Sequence, residues 1–94
     1  MADAGGIRKG TELAGKVALV TGGARNIGRA ISRALAAGGA SVMVNVHTSI
    51  DAAKETVGMI EAAGGKAAYH VADITDEESV RKLVDETICR FGRL

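Results

Sequence analysis

One stretch limits what this chain can fold into more than any other: Lys16-Val17-Ala18-Leu19-Val20-Thr21-Gly22-Gly23-Ala24-Arg25-Asn26-Ile27-Gly28-Arg29-Ala30-Ile31. Val17 to Thr21 is aliphatic and β-branched without polar alternation, as expected of a strand covered on both faces. Ile27, Ala30, Ile31, Ala34 and Leu35 then recur at helical spacing, with Arg29, Ser32 and Arg33 on the other side. Between strand and helix lies a Gly-rich turn. Such an order gathers backbone N–H groups and a helix N-terminus at one point, where an anion can sit.

The same alternation continues downstream. Gly38-Gly39 should end the first helix, and Ser41 to Val46 is a second apolar strand. Thr48 or Ser49 can cap a helix from Ile50 to Ala63, with Ala53, Val57, Ile60 and Glu61 on a mixed face and Gly64-Gly65 as its stop. Lys66 to Ala72 reads as the third strand. Thr75-Asp76-Glu77-Glu78 fits a capping box, followed by Val80, Leu83, Val84, Ile88 and Phe91 at i, i+3, i+4 spacing, with Gly92 closing the helix. The order β-α-β-α-β-α predicts a parallel α/β sheet with helices on both faces, one half of a doubly wound fold. Residues 1–12 are polar and Gly-rich without periodicity and read as a flexible leader to an ordered part at 13–94.

Composition narrows the function classes. A net charge of +1 gives no electrostatic reason to expect a nucleic-acid or membrane surface. No apolar run is long enough to span a bilayer. One cysteine, Cys89, excludes an internal disulfide framework, and a soluble cytoplasmic protein is the simplest expectation. His47 and His70 have no acid or thiol companion at ligand spacing, so no metal is expected. His70 reads as a structural residue, Cys89 as packing, and Asp76-Glu77-Glu78 as a favourable first helical turn.

The turn carries the chemistry. Gly22 permits the tight reversal, and Gly28 lets helix and strand approach closely. Asn26 stands where glycine would be easiest, and asparagine is among the few other residues that tolerate positive φ. Its side chain narrows the approach of a phosphate. An acid about 20 residues on would grip the 2′-hydroxyl of NAD, yet Val44-Asn45-Val46-His47-Thr48 contains none. Arg25, Asn45, His47 and Thr48 offer a cation and hydrogen-bond donors instead, which favours NADP over NAD. Asp73 can either accept from an adenine amino group or organise the turn before Thr75.

Gly15-Lys16-Val17-Ala18-Leu19-Val20-Thr21-Gly22, Asn26-Ile27-Gly28, Ala72-Asp73-Ile74 and Phe91-Gly92-Arg93-Leu94 resemble the N-terminal portion of short-chain dehydrogenases/reductases, nearest to the 3-oxoacyl-[acyl-carrier-protein] reductase-like group. The family's T-G-x-x-x-G-x-G turn is met at Thr21, Gly22 and Gly28 and broken at Asn26. The resemblance covers residues from about 13 to 94 and implies a Rossmann-type domain. It implies that Gly22, Arg25, Asn26 and Ile27 line pyrophosphate and ribose. Asn45, His47 and Thr48 would surround a 2′-phosphate, and Asp73 with Ile74 would hold adenine. It also implies hydride transfer between nicotinamide and a carbonyl or alcohol substrate, in a protein that is a homo-oligomer at full length. In the family a Tyr-x-x-x-Lys pair and a Ser perform catalysis. Here the only tyrosine, Tyr69, is followed four residues on by Asp73, so no catalytic residue is assigned.

The chain therefore reads as the first half of such an enzyme. A non-catalytic nucleotide-binding module, or an inactive truncated product, is the alternative. With strand one left at a sheet edge, the isolated chain is expected to be marginal, prone to association and a weak NADP binder. Incubated with NADPH and a β-ketoacyl thioester, the purified chain should show no loss of NADPH absorbance; measurable turnover would place the proton donor within these residues.

Overall fold

The computed structural model describes residues 13–22 and 26–92. The expected leader at 1–12, Arg25, and Arg93-Leu94 lie outside the described residues. Six elements alternate: β1 (Val17–Thr21), α1 (Asn26–Ala37), β2 (Ser41–Val46), α2 (Ile50–Ala62), β3 (Lys66–Val71) and α3 (Glu77–Phe91). The strands form one parallel sheet in the order β1-β2-β3, with Val17 opposite Ser41 and Ser41 opposite Lys66. This is the Rossmann-like α/β half that the alternation predicts.

β2 lies between its two neighbours, and Val42 to Val46 are all buried. Its alternating side chains feed two cores. Val42, Val44 and Val46 pack with Ala53 of α2 and with Leu35 and Ala36 of α1. Met43 packs on the opposite face with Ala68, Ala72 and Leu83 of α3. Two helices thus cover one face and the third covers the other.

The edges of α1 and α3 differ from expectation. Ser32, placed by the pattern on the outer side of α1, is fully buried, whereas Ile27 and Ile31 are 76% and 47% exposed. Both apolar and small residues recur at helical spacing along α1, and the small stripe of Ser32 and Ala36 allows close packing against the sheet and α2. Likewise Thr87 is buried on α3 while Ile88 is exposed. The Thr87 hydroxyl satisfies itself on the Leu83 carbonyl at 2.8 Å, which makes its burial cheap. On α2 the buried set is Ala53, Thr56 and Ile60, and Glu61 faces solvent.

The capping expectations also shift by one residue. Asp76, not Thr75, is the N-cap of α3, and its Oδ2 accepts from the Ser79 N–H at 3.3 Å and the Ser79 hydroxyl at 2.7 Å. Thr75 is unavailable because its hydroxyl donates to Asp73. Ser49 is the N-cap of α2 but makes no side-chain capping bond. Gly39 closes the α1–β2 turn at φ +106, and a Cβ there would lie 3.0 Å from the Ala14 nitrogen. Only glycine meets both demands.

Leu83 is 1% exposed and, with the half-buried Phe91, joins α3 to the sheet core. Leu83→Ala should cost about 2–5 kcal/mol by lost burial and the cavity left behind. Urea unfolding followed by circular dichroism would measure this; a loss below about 1 kcal/mol would mean that α3 is not anchored through Leu83.

Candidate cofactor site

In a parallel sheet of this kind, ligands bind beyond the carboxyl ends of the strands. At that end Thr21 leads into Gly22, Val46 into His47 and Thr48, and Val71 into Ala72, Asp73 and Ile74. Gly22 has φ +66, and among the described residues nothing lies within 4 Å of where its Cβ would be. Its N–H donates to the Asn45 carbonyl at 3.0 Å, which pins the end of β1 to β2. Asn26 has φ 53, the positive value expected for it, and begins α1. The start of α1 is thus presented to solvent beside the end of β2, a geometry that attracts anions.

The structure brings most of the expected residues to this crevice. Ile27, His47, Thr48 and Ile74 are exposed around it, and Gly28 and Asp73 are half-buried. Asn45 behaves differently from its expected place around a 2′-phosphate. It is 3% exposed, and its Nδ2 donates to the Ala72 carbonyl at 3.1 Å and, more weakly, to the His70 carbonyl at 3.5 Å. The amide turns into the sheet because the end of β3 leaves backbone carbonyls that need donors. The Ala72 N–H in turn donates to the Val46 carbonyl at 2.9 Å. Asn45 therefore holds two strand ends together beneath the crevice.

Asp73 organises its own turn. Its Oδ1 accepts from the Thr75 hydroxyl at 2.6 Å and from the Thr75 N–H at 2.9 Å. These bonds, the hydroxyl's first, hold its carboxyl below the ordinary value of 3.8, and the nearby His47 adds in the same direction. The loop carrying Ile74 is thereby fixed by a charge on the crevice rim.

A contact that spacing did not reveal joins the two helix starts. Arg29 reaches from α1 to Thr56 and Glu55 of α2. The partners lie 27 and 26 positions away, and no local pattern joins them. Among the described residues no cluster of three or more His, Cys, Asp or Glu could hold a metal, and no helix is long and apolar enough to cross a membrane. A concavity of about 990 Å³ lies at the other end of the sheet, lined by Lys16, Ser41, Gly65 and Lys66. It is larger than the groove between Asn26 and Arg29 of α1 and Asp51 and Glu55 of α2, but it lacks a helix start.

This strand-turn-helix geometry at the carboxyl edge of a parallel sheet defines a Rossmann-like class. The sequence matches the short chain dehydrogenase family over residues 16–94, and the chain belongs to that family. It is 46% identical over 84 residues to elsinochrome reductase 1 of Elsinoe fawcettii, covering 89% of this chain and 32% of that protein. The fold matches a dehydrogenase/reductase from Sinorhizobium meliloti 1021 with TM-score 0.84 and 42% identity, over 86% of this chain and 32% of the other. A short chain dehydrogenase from Burkholderia cenocepacia J2315, crystallised in complex with NADP, matches with TM-score 0.81 and 46% identity, over 85% and 33% of the two chains. The chain spans about a third of the length of the curated relatives it matches.

Because the Asp73 carboxyl is held low, its stabilisation of the turn is fully present well above pH 3.8 and is lost as pH falls through the lower folded value. Asp73→Asn should be less stable than the parent chain at neutral pH, because an amide accepts more weakly than a carboxylate. The gap should close on acidification below 3.8. Thermal midpoints of both chains across pH would show this; a gap that does not change with pH would mean that the Asp73 charge does not hold the turn.

Proposed function

We propose that this chain is the NADP(H)-binding part of a short-chain oxidoreductase that transfers hydride between nicotinamide and a carbonyl or alcohol carbon. One observation carries the cofactor choice. The residues leaving β2, His47 and Thr48, are exposed beside the α1 turn, and no carboxylate stands among Val44 to Thr48 to grip a ribose 2′-hydroxyl. A 2′-phosphate meets donors there, with Arg25 from the turn as its cation. The neighbour crystallised with NADP supports the same choice, and the reductase names of the relatives support carbonyl reduction as the direction.

The residues fit a dinucleotide in order. Gly22, Asn26, Ile27 and Gly28 would carry the diphosphate at the start of α1. Asn45 acts from below by fixing the ends of β2 and β3. Asp73 and Ile74 would border adenine, with the Asp73 turn keeping Ile74 in place. Bound nicotinamide would supply or accept the hydride. The protonating group would belong to the part of the family fold that these residues do not contain, where the resemblance puts a Tyr-x-x-x-Lys pair. Substrate and assembly would be set there too.

Titration of the chain, followed by cofactor fluorescence, should give NADPH at least about tenfold tighter binding than NADH, and Arg25→Gln should remove most of that preference. Equal affinity for the two cofactors would overturn the NADP reading.

A further inference from the structure

We propose that Arg29 is a positioning residue for the dinucleotide, setting the spacing between the start of α1 and the start of α2; the inference rests on reading the crevice as a dinucleotide seat. Arg29 lies on the first turn of α1, directly after the Asn26 to Gly28 segment. Its Nε donates to the Thr56 Oγ1 at 2.9 Å, and its Nη2 donates to the Glu55 Oε1 at 2.8 Å and to the Ala52 carbonyl at 3.4 Å. Ala52, Glu55 and Thr56 sit at i, i+3 and i+4 on α2 and so share one face near its start. One planar guanidinium thus engages two turns of the opposing helix, and its fixed fork resists both sliding and rotation.

The neighbouring contacts leave this task to Arg29. One turn further along α1, Ser32 is fully buried and its Oγ has no hydrogen-bond partner among the described residues. The helices therefore pack there through small side chains, without a directional bond from Ser32. The buried end of the Arg29 contact, at the fully buried Thr56, is the part that restrains position. The Glu55 carboxylate is 62% exposed, and an exposed pair of this kind is worth little by itself. Between the two helix starts opens a polar groove of about 440 Å³, lined by Asn26, Arg29, Asp51, Ala52 and Glu55. A dinucleotide would contact both sides of this boundary, its diphosphate at α1 and its 2′-phosphate beyond β2. A ligand touching one side alone would not sense their spacing.

The test compares a bridging ligand with a one-sided one on the full chain. NADPH is titrated by its fluorescence and adenosine 2′-monophosphate by NMR shifts, below the thermal midpoint of each variant. Arg29→Gln should weaken NADPH about tenfold and leave adenosine 2′-monophosphate within about twofold, since preorganisation matters only to the ligand that spans both helices. Arg29→Lys, which keeps the charge without the fork, should fall between. Should Arg29→Gln fail to fold, Thr56→Val removes the buried acceptor at nearly constant shape and should weaken NADPH about threefold. Unchanged NADPH binding, or equal weakening of both ligands, would overturn the positioning role. So would recovery of Arg29→Gln by Glu55→Gln, which would assign Arg29 to masking a negative charge. Failure of the parent chain to bind NADPH at all would instead remove the dinucleotide reading beneath it.

Discussion

The structure depends on the burial of β2. A three-stranded parallel sheet has one strand that can be paired on both sides, and here that strand is also covered on both faces. Its residues must then be apolar or internally satisfied, because an unpaired polar group at that depth is costly. Val42, Met43 and Val44 meet the first condition. Asn45 meets the second by donating to carbonyls at the end of β3. The strand's two alternating sets of side chains decide which helices lie on which face. The positions of the candidate site residues follow from that, since the crevice lies where the ordered strand ends.

Much of this was legible in the sequence because the signals were local. Strand positions followed from short runs set off by paired glycines, and the positive φ of Asn26 followed from its place in a strand-turn-helix motif. What was not legible involved competition between neighbours or distant partners. Ser32 and Ile31 are adjacent on α1, and periodicity favours the larger apolar residue; packing against the sheet selected the smaller one. Thr75 and Asp76 are both good N-caps, and the choice was made by Asp73, whose carboxylate engages the Thr75 hydroxyl. Arg29 looked like a solvated outer residue because its partners lie on another helix.

At the crevice, the residues proposed for recognition also hold the fold together. Asp73 was open to two readings, and its hydrogen bonds show that the turn-forming one operates in the structure. That use engages one carboxylate oxygen and fixes the loop bearing Ile74, so any contact to a nucleotide would come from an already ordered rim. Asn45 was expected beside a phosphate and instead braces the floor. The crevice is therefore supported from beneath, and the residues exposed around it come from turns and helix starts.

The sequential strand order has a consequence for how the chain acquires its shape. Each strand pairs with the next one along the sequence, and every closure spans about 25 residues, so the entropic cost of each is similar and no long-range loop must close first. Folding can then run in the direction of synthesis, with β1 and β2 pairing before β3 is available. The exposed Ile27 and Ile31 lie on the first helix made in that order. During translation this apolar stripe would be among the earliest surfaces to need protection, well before the crevice has a floor.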